Sequence, residues 1–204
     1  MTGVRRVLGF TIISSIGYMI LGLAVATPLA LVGAVFYLAQ DVVVKANLFL
    51  GAGMARRLTG SELFGRSGGI WRQRPWASLL FLIPALSLAG VPPFAGFWAK
   101  LLLAKATIDA GSYGLTFAVL GVGLLTLFAM ARVWAEVFWA AHPEGERAIT
   151  APVPAAMALP LLVLVALVVA VGLFAGPFID VAVAIAAGIG DPSAYVAAVL
   201  GERP

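Results

Sequence analysis

FYLAQDVVVKANLFL, residues 36–50, sets Asp41 and Lys45 inside an apolar run that reads as membrane-spanning. A charged side chain at bilayer depth costs at least ~2.5 kcal/mol on insertion scales, so ionisable residues there read as functional by default. On a helix Tyr37, Asp41 and Lys45 follow one another one turn apart, with Gln40 and Val44 flanking the stripe. One face of an otherwise apolar helix is therefore polar. Lys45 lies C-terminal of the middle of the run, and helical side chains lean toward the helix N-terminus. Its stem therefore points inward, away from the nearer interface, which disfavours snorkelling.

Composition agrees with this reading. The 204 residues are 62% apolar and 11% charged, with a mean hydropathy of +1.07, values far from those of a soluble domain. The chain reads as an all-α integral membrane protein forming one transmembrane domain over residues 1–204. The absence of Cys excludes a disulfide framework and a Cys-ligated metal site, and the single His142, in a polar loop beside Pro143, argues against a His-built one. No metal and no cofactor are expected, and no phosphate-binding loop or nucleophile elbow is present. The net charge of +4 comes from arginines concentrated in one loop, which speaks to membrane topology and not to nucleic acid. Arg5 and Arg6 precede an apolar run too long for a signal-peptide core.

Outward from the quoted stretch, about six spans are expected at 7–26, 29–50, 76–91, 94–108, 115–140 and 155–181. The first has the ~20 residues that cross ~30 Å of hydrocarbon, and Thr27-Pro28 ends it. Gly51-Ala52-Gly53 is expected to stop the second. The segment 51–75 holds Arg56, Arg57, Arg66, Arg72 and Arg74 against Glu62 alone, among Gly and Ser residues that promise no packed element. An excess of arginine marks it as cytoplasmic, with Arg5 and Arg6 on the same side. Both termini are then expected in the cytoplasm and residues 142–150 outside. Pro92-Pro93 interrupts the third and fourth segments, each too short to cross alone. The sequence SLAGVPPFAGFWAKLLL (87–103) thus reads as a discontinuous helix lining a cavity, with Lys100 on its second half.

Each of these residues also has a structural reading. Asp41 and Lys45 can neutralise each other as a dry pair, and Lys100 can sit at the interface. Lys105, Arg132 and Glu136 read as interfacial anchors, the last two spaced as an i,i+4 pair. Ser14, Ser15 and Tyr18 can serve as helix–helix hydrogen-bonding groups as readily as members of a water wire.

Together FYLAQDVVVKANLFL, IISSIGYMILG (12–22), SLAGVPPFAGFWAKLLL and the tail DPSAYVAAVLG (191–201) give the chain a familiar look. It resembles the proton-conducting antiporter-like membrane subunits, most closely the C-terminal half of the D-type subunit of Mrp sodium/proton antiporters. Related subunits of respiratory complex I and of membrane-bound hydrogenases share that architecture. The resemblance implies a fold with two inverted five-helix repeats, of which this chain holds the second, each a half-channel with a buried lysine and one broken helix. By position Lys45 matches the central lysine, with Asp41 as its counter-charge and Lys100 as the ionisable residue on the broken helix. Gln40, Tyr37, Tyr18, Ser14 and Ser15 are candidate water-ordering groups.

Gln40 stands where Mrp-type members commonly have His, so no proton relay through a titrating side chain is expected there. The helices of a first repeat are absent, which marks the chain as a fragment, a split subunit or a degenerate copy. The resemblance implies a transporter subunit and not an enzyme. It would sit in the bacterial inner membrane as a multi-pass protein, with other membrane subunits, protons, monovalent cations (Na+) and the lipid bilayer as partners. The alternatives are an antiporter-like subunit of a complex I or hydrogenase-type pump, and an inert structural fragment.

Overall fold

The computed structural model describes residues 3–142, residues 152–190 and Val199. It is a helical bundle, and its elements are α1 (Val4–Val25), α2 (Pro28–Thr59), α3 (Ile70–Gln73), α4 (Pro75–Ala89), α5 (Ala95–Asp109), α6 (Tyr113–Trp134), α7 (Ala155–Leu173) and α8 (Ala175–Gly190). A π-helical turn, Ala135–Trp139, widens the end of α6. No strand is present among the described residues. Among the described residues, four helices are long and apolar enough to cross a membrane, and large apolar side chains such as Ile13, Phe117, Leu124 and Phe128 point outward. The chain is a multi-pass membrane protein. The tail motif 191–201 and most of the segment 142–150 lie outside the described residues.

The central element is α2, which packs against α1, α4, α5, α7 and α8. It begins where Thr27 caps it, Oγ1 accepting from the Ala30 amide at 3.3 Å, with Pro28 in the first turn. It does not stop at Gly51-Ala52-Gly53 but runs to Thr59, ending at Gly60 with φ 73°. Tertiary packing overrides the ~1 kcal/mol that glycine costs a helix. Gly51 lets the ring of Phe81 approach, since a Cβ there would stand 3.0 Å from Cδ2, and Ala52, Met54, Ala55 and Leu58 are buried beyond it. The midpoint of α2 therefore falls at Val43–Val44, between Asp41 and Lys45.

The basic segment is packed, contrary to expectation. Gly3 and Leu63 form an isolated antiparallel bridge, Arg5 pairs with Glu62 at 3.0 Å, and Ile70 and Ser67 are buried. Trp71 lies against Trp134 and Trp139, and the Gly69 amide donates to the Ala140 carbonyl at 2.6 Å. Gly68 and Gly69 sit in the left-handed half of backbone space, φ 157° and 74°, where a Cβ on Gly68 would meet Ala140 and Ala141 backbone atoms.

This contact corrects the expected topology. The Ala140 end of α6 lies on the same side as the basic segment, so His142 cannot be on the opposite face of the membrane. The physical reason is in α4 and α5. Gly51 of α2 meets Phe81 of α4, whereas Gly22 and Gly33, near the other ends of α1 and α2, meet Leu103 of α5. The two short helices are the halves of one crossing, and counting them as two inverted the parity of everything downstream.

Two further departures have local causes. The final apolar run is broken at Phe174 into α7 and α8 because Pro177, lacking an N–H, cannot donate to the Leu173 carbonyl. Gly172 also presses against the Pro93–Ala95 backbone, and its carbonyl accepts from Trp98 Nε1 at 2.9 Å. No Arg132–Glu136 ion pair forms among the described residues. The π turn changes the register from Ala135 onward, and Arg132 lies over the Phe64 ring at 5.9 Å.

Candidate functional site

The polar stripe of α2 faces α1 and α5 and is closed off from the surroundings. Asp41 and Gln40 are each 5% exposed, and the Lys45 side chain is 12% exposed. Lys45 Nζ stands 3.8 Å from Asp41 Oδ1, one turn back along the same helix, which is the inward lean expected of its stem. That distance is long for a hydrogen bond, and the nearer partner is Thr11 Oγ1 of α1 at 3.2 Å. Asp41 Oδ1 is instead met by the Ser15 hydroxyl at 2.8 Å. Thr11 and Ser15 are one turn apart on α1, so that helix offers one hydroxyl to each member of the pair.

From Ser15 the polar groups continue toward α5. Ser15 Oγ lies 3.5 Å from the Tyr37 hydroxyl, Tyr37 stacks on Tyr18 with ring centroids 4.9 Å apart, and Lys100 Nζ sits 5.4 Å from the Tyr18 centroid. Tyr18 donates its hydroxyl to the Val119 carbonyl at 2.7 Å, tying the array to α6. Named in order, the side chains run Lys100, Tyr18, Tyr37, Ser15, Asp41 and Lys45 across the width of the bundle.

The break between α4 and α5 holds Lys100. Helix α4 ends at Gly90 with φ 89°, and the freed carbonyls of Leu88 and Ala89 accept from Lys100 Nζ at 2.9 and 2.8 Å. Orphan carbonyls at a helix C-terminus carry partial negative charge, which suits an ammonium. A Cβ on Gly90 would stand 2.8 Å from the Lys100 stem, and one on Gly96 would run into the Ser87 carbonyl, so both glycines permit the halves to close on each other. Lys100 is thus held inside the protein.

Of the candidate water-ordering groups, Tyr37, Tyr18 and Ser15 belong to this array. Gln40 is adjacent, its Oε1 buried without a hydrogen-bond partner, and it lines an apolar groove of about 380 Å³ between α2, α7 and α8. Ser14 is set apart on a groove between α1 and α6. Sequence reasoning missed Thr11 and the two carbonyls. Thr11 could have been found, since it lies one turn before Ser15 on the face that must meet α2. Asn47, also missed, is buried two turns beyond Gln40 and donates from Nδ2 to the Leu161 carbonyl at 3.3 Å.

The family described as NADH:quinone oxidoreductase/Mrp antiporter, TM, matches residues 1–126, a stretch that includes all six side chains of the array. The chain belongs to this family. Among curated relatives, the D-type subunit of a Na(+)/H(+) antiporter of Alkalihalophilus pseudofirmus is 39% identical over 198 residues, covering 97% of this chain and 40% of that protein. Among solved structures, the Mrp complex from a Dietzia species matches with a TM-score of 0.86 and 31% identity, over 98% of this chain and 45% of that one. An archaeal membrane-bound sulfane sulfur reductase matches with a TM-score of 0.83 and 26% identity, over 98% of this chain and 40% of that one. The chain spans about 40% of the length of the curated relative described above. The expected all-α antiporter-like membrane fold is the one these family members share.

Proposed function

We propose that this chain is a membrane subunit of a monovalent cation/proton antiporter, supplying a lysine-based proton half-channel inside a multi-subunit complex. The observation that carries the reading is the buried array from Lys100 to Lys45, in which two amines and one carboxylate are enclosed by an apolar bundle. Two titrating amines at the ends of a row of hydroxyl-bearing side chains, linked in its middle by the stacked Tyr18 and Tyr37 rings, can take up and release protons without covalent chemistry. Desolvation and a neighbouring carboxylate act on a buried lysine's proton affinity in opposite directions, so modest changes in hydration or distance move the balance.

Lys45 is the central carrier, Asp41 its counter-charge and Lys100 the carrier on the broken helix. Ser15, Tyr37 and Tyr18, with Gln40 beside them, order the water that connects these. Ser14, on a separate groove, is left out of this pathway. The exchanged cation is Na+, by likeness to the antiporter relative. The protein acts in the bacterial cell membrane, with the basic segment and the Ala140 end of α6 in the cytoplasm, and partner subunits complete the pathway. The likeness to a sulfane sulfur reductase supports a second reading, an antiporter-like subunit of a respiratory pump.

The test is exchange in vesicles holding the assembled complex. Sodium-dependent pH change should be present with the native chain and lost in Asp41→Asn and Lys45→Ala, with assembly intact. Full exchange in Lys45→Ala contradicts the proposal, and proton movement that needs a redox donor and no sodium favours the second reading.

A further inference from the structure

We infer that Thr11 is a positioning residue for Lys45: its hydroxyl gives the amine a neutral resting partner and holds the Asp41–Lys45 pair open. This inference rests on the reading of Lys45 as a proton carrier. The geometry assigns the role through hydrogen counting. The Thr11 hydroxyl has one proton, which goes to the Leu8 carbonyl at 2.7 Å, so toward Lys45 its oxygen acts as acceptor. The ammonium stands at 3.2 Å from that oxygen and at 3.8 Å from Asp41 Oδ1, nearer to the neutral group than to its counter-charge.

Ser15 completes the arrangement. Its single proton has three acceptors in range, Asp41 Oδ1 at 2.8 Å, the Thr11 carbonyl at 3.0 Å and the Tyr37 hydroxyl at 3.5 Å, and donation to the nearest, the carboxylate, occupies the oxygen that faces Lys45. Thr11 draws the amine away while Ser15 covers the carboxylate. Both are buried, on a helix whose other side carries the exposed Ile13, Ile16 and Ile20. A closed ion pair in a dry interior is held strongly by both partners. A pair held at arm's length by two hydroxyls can exchange a proton without first being pulled apart. The other titratable groups facing the pair are Tyr37 on α2, Tyr18 on α1 and Lys100 on α5. Helices α4 and α7 contain none, and Asp180 of α8 is exposed.

The test compares Thr11→Val, which keeps the shape and removes the acceptor, with Thr11→Ser, which keeps the hydroxyl, in the assembled complex in vesicles. Thr11→Val should slow exchange by about tenfold or more, the scale of a hydrogen bond to a charged group, with assembly unchanged. Thr11→Ser should restore the rate to within about threefold of the native chain. Normal exchange in Thr11→Val overturns the inference, and so does equal loss in both variants, which would assign the effect to the threonine methyl. Should Thr11→Val fail to assemble, Thr11→Ala, which adds no bulk, is read in its place by the same criteria. Lys45→Ala, run alongside, separates the two failures. Exchange that survives it contradicts the carrier reading itself, whereas exchange lost in Lys45→Ala but normal in Thr11→Val contradicts only the role of Thr11.

Discussion

At the scale of the residue, the stripe Tyr37, Asp41, Lys45 was legible because helical spacing alone aligns it, and so was the inward lean of Lys45. What meets that stripe was legible only from helical position, one turn before Ser15, and not from residue type. Threonine and serine are tolerated anywhere in a membrane helix because they return a hydrogen bond to their own backbone, as Thr11 does to Leu8, so their type announces no partner. The depth of Lys100 was likewise hidden until the α4 carbonyls were placed. It makes a definite prediction. Lys100→Met removes both hydrogen bonds to Leu88 and Ala89 while filling similar space, and a hydrogen bond to a charged group is worth about 1.5–3 kcal/mol. The variant complex should unfold at lower temperature in a thermal scan and lose exchange, whereas a lysine merely resting at the interface would leave the unfolding midpoint where it was.

At the scale of the element, the discontinuity at Pro92-Pro93 was readable from chemistry, since proline supplies no amide to a continuing helix. That its two halves form a single crossing was not, because the relevant contacts, Gly51 to Phe81 and Gly33 to Leu103, join residues far apart in sequence. The same limit hid the continuation of α2 to Thr59, where packing outweighs glycine. Gly96 is the tightest point of the break. Gly96→Ala puts a methyl group against the Ser87 carbonyl, which is backbone and cannot swing aside, and overpacking of this kind typically costs about 1–3 kcal/mol. The expected outcome is reduced thermal stability with loss of exchange. Gly53→Ala, on the same long helix with open space at its Cβ position, should be neutral or slightly stabilising in the same scan.

At the scale of the whole molecule, the arginine bias predicts the orientation of the bundle, and the Gly69–Ala140 hydrogen bond shows which ends share a side. The chain has no native cysteine, so single cysteines report sidedness directly. Arg66→Cys and Ala141→Cys, both at exposed positions, should react with an impermeant thiol reagent only after the cells are opened, and Ala110→Cys should react in intact cells. Opposite behaviour of Arg66→Cys and Ala141→Cys would contradict the single-crossing arrangement of α4 and α5. The central claim, that Lys45 carries protons, is tested most directly by exchange in the assembled complex bearing Lys45→Arg. A guanidinium with a pKa above about 12 keeps the positive charge beside Asp41 but holds its proton at every working pH. A carrier therefore fails in this variant, and exchange should fall to background with assembly intact. A structural ion pair survives it, so near-native exchange in Lys45→Arg, with function also restored in the double variant Asp41→Leu, Lys45→Leu, would contradict the account.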